Sequence, residues 1–166
     1  TEYRYQGKTP NNYIAFNGEN GAWRIIGVFN VETHNGDGTY TKENKVKIVR
    51  NRITKSAWHT SSTNNWTTAT LMTLLNSGEY YNRTNTYTNN GLTSTAKSQI
   101  SVTKWYLGNI IWTNYVGYGN AKTIYAQERS TSVWNGNKQT WDGNVALIYP
   151  SDYMYASSSC YNDDAK

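Results

Sequence analysis

Asn12-Tyr13-Ile14-Ala15-Phe16-Asn17-Gly18-Glu19-Asn20-Gly21-Ala22-Trp23-Arg24-Ile25-Ile26-Gly27-Val28-Phe29-Asn30-Val31 is the stretch that decides the fold. Two runs of apolar, β-branched and aromatic residues, Asn12 to Phe16 and Trp23 to Val31, flank Asn17-Gly18-Glu19-Asn20-Gly21. That spacing around an Asn-Gly dipeptide predicts a β-hairpin closed by a short glycine-bearing loop. A second loop, Glu32 to Tyr40, contains Asn35-Gly36-Asp37-Gly38. Beyond it Val46, Ile48 and Val49 alternate with lysines, which predicts a third strand at a sheet edge, its charges discouraging pairing with other chains.

Helical signals follow. Asn64 or Asn65 can cap a helix with Trp66, Ala69, Leu71, Met72, Leu74 and Leu75 on its apolar face, ending near Asn76-Ser77-Gly78. A second helix is expected from about Thr93 to Leu107, with Leu92, Ala96, Ile100, Thr103 and Leu107 at helical spacing and Gly108 as its stop. Between them Glu79 to Gly91 has the chemistry of a loop. From Asn109 to Asn144 the periodicity weakens, apart from a helical turn at Ala121 to Arg129. Val145 to Tyr149 reads as a short buried strand ended by Pro150. With no repeat and no linker, residues 1–166 are expected to form a single domain of α+β class.

The composition bears on function. Seven Trp and 15 Tyr against two Phe, with only 16% charged residues, give aromatic rings carrying polar tips among short uncharged side chains. Such a surface packs on one side and meets water on the other, as on an extracellular or assembled surface protein. The net charge of +5 reflects few acids. Its densest cluster, Lys45, Lys47, Arg50, Arg52 and Lys55, reads as the solvated face of a strand, and with no RNA-binding or zinc-finger pattern beside it no nucleic-acid partner is expected. No apolar stretch approaches the about 20 residues needed to span a bilayer, so the chain is not expected to be membrane-spanning. The single cysteine, Cys160, leaves a reduced thiol, an intermolecular link or half of a bridge to sequence beyond this chain.

Several segments taken together resemble a large group of bacterial surface proteins of uncharacterised function. They are Asn11 to Gly18, Trp23 to Phe29, Leu71 to Asn76, Trp105 to Gly108, Gln127 to Arg129 and Leu147 to Tyr153. The group is similar to the C-type-lectin-like fold, in the broad sense that includes the formylglycine-generating-enzyme type of domain. The resemblance implies a mixed or antiparallel sheet with two flanking helices, then a long irregular aromatic-rich segment and further strands rich in Trp. Members continue past the Tyr-Pro-Ser-Asp-Tyr segment into C-terminal strands, whereas this sequence stops at Lys166. Those strands are expected to be missing, supplied by another chain, or replaced. An unpaired sheet edge would then be a template for self-association.

Catalytic chemistry finds little support. His34 and His59 lack a second His or Cys at metal-ligand spacing, and neither a Gly-x-Ser-x-Gly elbow nor a phosphate-binding loop occurs. Formylglycine-type oxidation needs reactive cysteine chemistry, which Cys160 alone does not supply. Glu128 beside Arg129 could serve as an acid in glycoside cleavage, or as a partly buried ion pair or cap that pins the Ala121 to Arg129 turn. Asn35-Gly36-Asp37-Gly38 and Asn162-Asp163-Asp164 offer oxygen ligands without the spacing of a calcium loop, and Trp141-Asp142-Gly143-Asn144 is not the calcium-dependent sugar-binding motif of C-type lectins. No metal and no cofactor are expected.

The aromatic residues divide. Trp23, Trp66 and Trp105 fall on elements expected to be buried. Trp112, Tyr115, Tyr118, Trp134 and Trp141 lie in the irregular stretch where binding residues concentrate, and flat indole and phenol faces stack on sugar rings. These five are the candidate ligand-binding residues. The expected function is a non-catalytic extracellular module at the bacterial cell surface that binds a glycan or a surface protein. The alternative is a structural subunit of a surface filament assembled by strand complementation, and a glycan-active enzyme is the third class.

Overall fold

The computed structural model describes residues 2–51, 56–62, 64–107, 120–129 and 139–157. Its centre is one long strand, β3 (Glu19–His34), against which most of the sheet is built. Along one side runs β4 (Tyr40–Arg50), antiparallel from Trp23↔Arg50 to His34↔Tyr40. Along the other side lie three short strands in tandem: β2 (Tyr13–Phe16), β1 (Tyr3–Arg4) and β5 (Thr103–Tyr106). Strand β6 (Thr140–Gly143) completes the six-stranded sheet by pairing with β5. Every pairing is antiparallel, and with the short helices below the class is α+β. Among the described residues β4 pairs with β3 alone, which puts it at an edge as its lysines suggest.

The hairpin is tighter than its sequence suggests. Phe16 pairs directly with Glu19, so Asn17-Gly18 alone forms the turn and β3 begins at Glu19 rather than Trp23. Asn17 and Gly18 have φ of 58° and 74°, the left-handed pair that a type I′ turn requires and that Asn-Gly tolerates best. The register then slips between Phe16 and Ile14, so the residues around Gly21 are absorbed as a bulge inside β3. The Asn17 side chain also anchors a distant segment, donating to Gly91 O at 3.1 Å and accepting from Thr93 N at 2.7 Å.

The helices are shorter than the apolar periodicity implies. Asn65 does cap a helical start, accepting from Thr67 N at 3.0 Å, but the first turn, Trp66–Thr68, is 3₁₀. After Ala69 the chain resumes as α1 (Thr70–Asn76) and stops at Ser77. The segment expected to be a loop instead holds α2 (Glu79–Asn82) and a 3₁₀ turn at Asn85–Tyr87. Its Tyr80 and Tyr87 rings meet edge to face 5.6 Å apart and form a core cluster with Leu92 and Ala96. Burying those two rings is what orders a stretch of otherwise turn-like composition.

The second predicted helix is corrected more strongly. Thr93 caps α3 (Ser94–Gln99) through Ala96 N at 3.0 Å, but the helix ends at Ile100, and Thr103 to Tyr106 is the strand β5. The β-branched and aromatic residues from Ile100 to Tyr106 favour a pleated surface, and β6, contributed from far along the chain, supplies the partner that fixes them there. Helix α4 (Ala121–Glu128) forms as expected, capped by Asn120 through Thr123 N at 2.9 Å. Val145 to Tyr149 is not a buried strand: Leu147 and Ile148 are exposed, and Pro150 opens α5 (Pro150–Met154) rather than ending a strand. The Asn76 side chain takes the place of a strand partner here, donating to Val145 O and accepting from Val145 N, both at 2.9 Å.

Gly27 decides what packs over the sheet. In register it sits between Arg4 on β1 and Lys47 on β4, and a methyl group there would collide with Tyr3 O and crowd Arg4 Cα and the Phe29 ring. Gly27→Ala is expected to lower stability by about 1–3 kcal/mol, read from urea unfolding, because β1 must move to admit the methyl group.

Candidate functional site

Over bare Gly27 the side chains of Arg4 and Lys47 converge on one carboxylate, Asp152 of α5. Arg4 Nη1 donates to Oδ1 at 3.0 Å, Lys47 Nζ donates to Oδ2, and the backbone N of Tyr149 also donates to Oδ2, at 3.2 Å. The Asp152 side chain is 0% exposed, Arg4 10% and Lys47 13%. Aromatic faces close the sides. The Arg4 guanidinium lies 4.5–4.6 Å from the ring centroids of Phe29, Tyr125 and Tyr155, and Lys47 Nζ lies 4.2 Å from that of Tyr149. Arg4 Nη2 has no hydrogen-bond partner among the described residues, so these ring faces are its compensation. Burial pushes the Lys47 amine below its ordinary range, with Asp152 pulling it back up.

A second buried carboxylate adjoins the first. Glu128, 1% exposed at the end of α4, accepts from Ser151 N at 2.7 Å and Ser151 Oγ at 2.6 Å, and Arg129 Nη1 lies 3.5 Å from its Oε2. Burial raises its carboxyl above the usual range, and the hydrogen bonds from Ser151 oppose that rise. Both sequence readings of Glu128 placed it beside Arg129. The geometry makes it the tie between α4 and the first turn of α5.

The aromatic cluster lies next to this hub. Trp105, half-buried on β5, donates from Nε1 to Gly143 O at 2.9 Å and is tilted against Tyr149, 6.3 Å between centroids. Its cross-strand neighbour is Trp141, whose indole folds over Gly143 of its own strand. Trp141 then meets Trp66 edge-on at 5.6 Å, and Trp66 meets Trp58 at 5.7 Å. Trp66 is 7% exposed and Trp58 is 36% exposed, so the row runs from core to surface. Trp66 Nε1 is buried with no hydrogen-bond partner among the described residues. Around Trp58 the chain caps α1: Trp58 O accepts from Leu71 N at 3.1 Å and His59 Nδ1 accepts from Thr70 N at 3.0 Å.

Of the five candidate binding residues, Trp141 is in this row. Trp112, Tyr115, Tyr118 and Trp134 lie outside the described residues, as do Cys160 and Asn162-Asp163-Asp164. The flanks of the aromatic segments are described: Leu107 N donates to Gln139 O at 2.8 Å, continuing the β5–β6 pairing beyond Tyr106↔Thr140. Two of the three Trp assigned to the core, Trp23 and Trp66, are buried, and Trp105 is half-buried. Sequence reasoning missed Trp58, which sits among Ser, Thr and His without periodic neighbours. Its signal was only a Trp within a polar run.

Neither a family model, nor a curated protein, nor a solved structure matches this chain. The other sequence candidates have local explanations. His34 Nδ1 accepts from Gly36 N at 2.9 Å. Asp37 Oδ1 accepts from Thr39 N at 2.8 Å and Thr39 Oγ1 at 2.6 Å, and these bonds hold its carboxyl below the usual range. Among the described residues no group of three or more His, Cys, Asp or Glu could hold a metal ion, and no helix is long and apolar enough to cross a membrane. The basic cluster is dispersed: Lys45 pairs with Glu43 at 2.8 Å, Lys47 with Asp152 and Arg50 with Glu19, while Arg52 and Lys55 lie outside the described residues.

Proposed function

We propose that the protein is a non-catalytic extracellular module of the bacterial cell surface, with a C-type-lectin-like domain, that binds a glycan through the surface ending in Trp58 and Trp141. The observation that carries this reading is the row Trp58–Trp66–Trp141: an exposed indole backed by a buried one whose N–H has no acceptor among the described residues. A sugar ring stacks on an exposed indole face such as that of Trp58, which the buried Trp66 holds in place from behind. The resemblance to bacterial surface proteins supports the location.

Trp58→Ala is expected to weaken binding to the best ligand on a bacterial and host glycan array at least tenfold while leaving the thermal midpoint within a few degrees, because the ring is partly solvated. Unchanged affinity would remove this surface from the reading. A filament subunit assembled by strand complementation is the second reading, favoured by the outer side of β4, which has no strand partner among the described residues and carries exposed Val46. The same sample run on light scattering separates the two, since a glycan-binding monomer excludes obligate strand exchange.

A further inference from the structure

We propose that Lys47 and Asp152 are a covalent modification site, at which the Lys47 amine and the Asp152 carboxyl condense to an amide that fastens β4 to α5.

Nζ touches Oδ2 directly, and Asp152 is the only hydrogen-bond acceptor assigned to it among the described residues. The carboxyl is held still from two other directions, by Arg4 Nη1 on Oδ1 and by Tyr149 N on Oδ2. Water is kept out: the Asp152 side chain has no exposure, and Phe29, Trp105 and Tyr149 present ring faces to Nζ at 5.7, 5.6 and 4.2 Å. Holding the amine against the carboxyl group removes much of the entropic part of the barrier, which for well-placed intramolecular pairs is worth many orders of magnitude in rate. Desolvation also lowers the basicity of Lys47, which raises the fraction of free amine able to attack.

The step balances without a co-reactant. The Nζ–Cγ bond forms and the Cγ–Oδ2 bond breaks. Oδ2 leaves as water, taking two of the three protons that Nζ carries as an ammonium, and the amide keeps the third. Ion pair and product are both neutral overall, and no atom is oxidised or reduced. While the tetrahedral centre exists, the charge that develops on Oδ1 lies against the Arg4 guanidinium, a fixed donor in a dry site. The product removes the Lys47 and Asp152 charges from the interior and leaves Arg4 hydrogen-bonded to a neutral amide oxygen, with the ring faces of Phe29, Tyr125 and Tyr155 around its guanidinium. The site is independent of the glycan-binding reading, since none of Trp58, Trp66 and Trp141 takes part.

Mass spectrometry of the intact, denatured and reduced protein tests this. The expected mass is below the sequence mass by one water, and a tryptic digest should show Lys47 uncleaved within a branched peptide that joins the β4 segment to the segment containing Asp152. Lys47→Arg, which keeps a charge at the pair but cannot form the amide, and Asp152→Ala should both show the full sequence mass. A wild-type protein at full mass with trypsin cutting after Lys47 would overturn the proposal. So would a water loss that maps to succinimide at Asp37-Gly38 or Asp142-Gly143 instead of the branched peptide.

Discussion

Asp152→Ala is expected to destabilise the protein by about 3–5 kcal/mol, measured by urea unfolding at neutral pH. The mechanism is charge left behind. Arg4 and Lys47 are nearly as buried as the carboxylate they share, and the variant leaves the Lys47 ammonium and the Arg4 guanidinium facing aromatic rings with no counter-ion. That figure applies to the ionic pair; in a protein already joined as an amide Arg4 has no counter-ion to lose, and the variant instead removes the cross-link and restores the Lys47 ammonium. A control isolates burial as the cause. Lys45 and Glu43 lie 2.8 Å apart with side chains 37% and 41% exposed, and Lys45→Ala is expected to change stability by no more than about 1 kcal/mol. A loss below about 1 kcal/mol for Asp152→Ala as well would mean that water reaches the cluster.

Trp66→Ala is expected to cost a similar amount, about 3–5 kcal/mol, with the loss of glycan binding. Trp66 is the middle of the aromatic row, so its removal opens a void under Trp58 and withdraws the edge-on partner of Trp141 at once. The contrast with Trp58→Ala is the informative part. Trp58 is at the solvated end, so its loss should weaken the ligand and spare the fold. If Trp66→Ala unfolded with the wild-type midpoint, the row would not be part of the core.

Local signals explain which parts of the fold were legible in the sequence. Asn17-Gly18, the Asn65 and Thr93 caps, and α4 behind Asn120 each depend on residues a few positions apart. The errors share the opposite property. Ile100, Thr103 and Leu107 have helical spacing around Trp105, but the partner of Trp105 is Trp141 on β6, and nothing within a local window reports that pairing. Val145 to Tyr149 has the composition of a strand, but the Asn76 side chain, 69 residues away, satisfies the Val145 backbone in place of a strand partner. Tyr80 and Tyr87 ordered a segment whose composition alone suggested a loop.

The same distinction separates the two parts of the site. The excess of Trp and Tyr over Phe points to rings with one wet side, and of the five residues it singles out Trp141 is described, in contact with Trp66. The ionic hub could not be anticipated. Arg4 and Lys47 reach Asp152 from 148 and 105 positions away, from the two strands that flank Gly27. Glycine there reads in sequence as a weak point in a strand, whereas in three dimensions it is where the β1 backbone and the Phe29 ring come too close for a side chain.

The most direct test of the binding surface is to follow the indole Nε1–H resonances by nuclear magnetic resonance during titration with the best glycan from the array. The Trp58, Trp66 and Trp141 signals, assigned through Trp58→Phe and Trp141→Phe variants, are expected to shift together and saturably, with Trp66 moving through its ring contacts with the other two. Saturable binding that leaves all three signals in place would contradict a glycan site at this aromatic row.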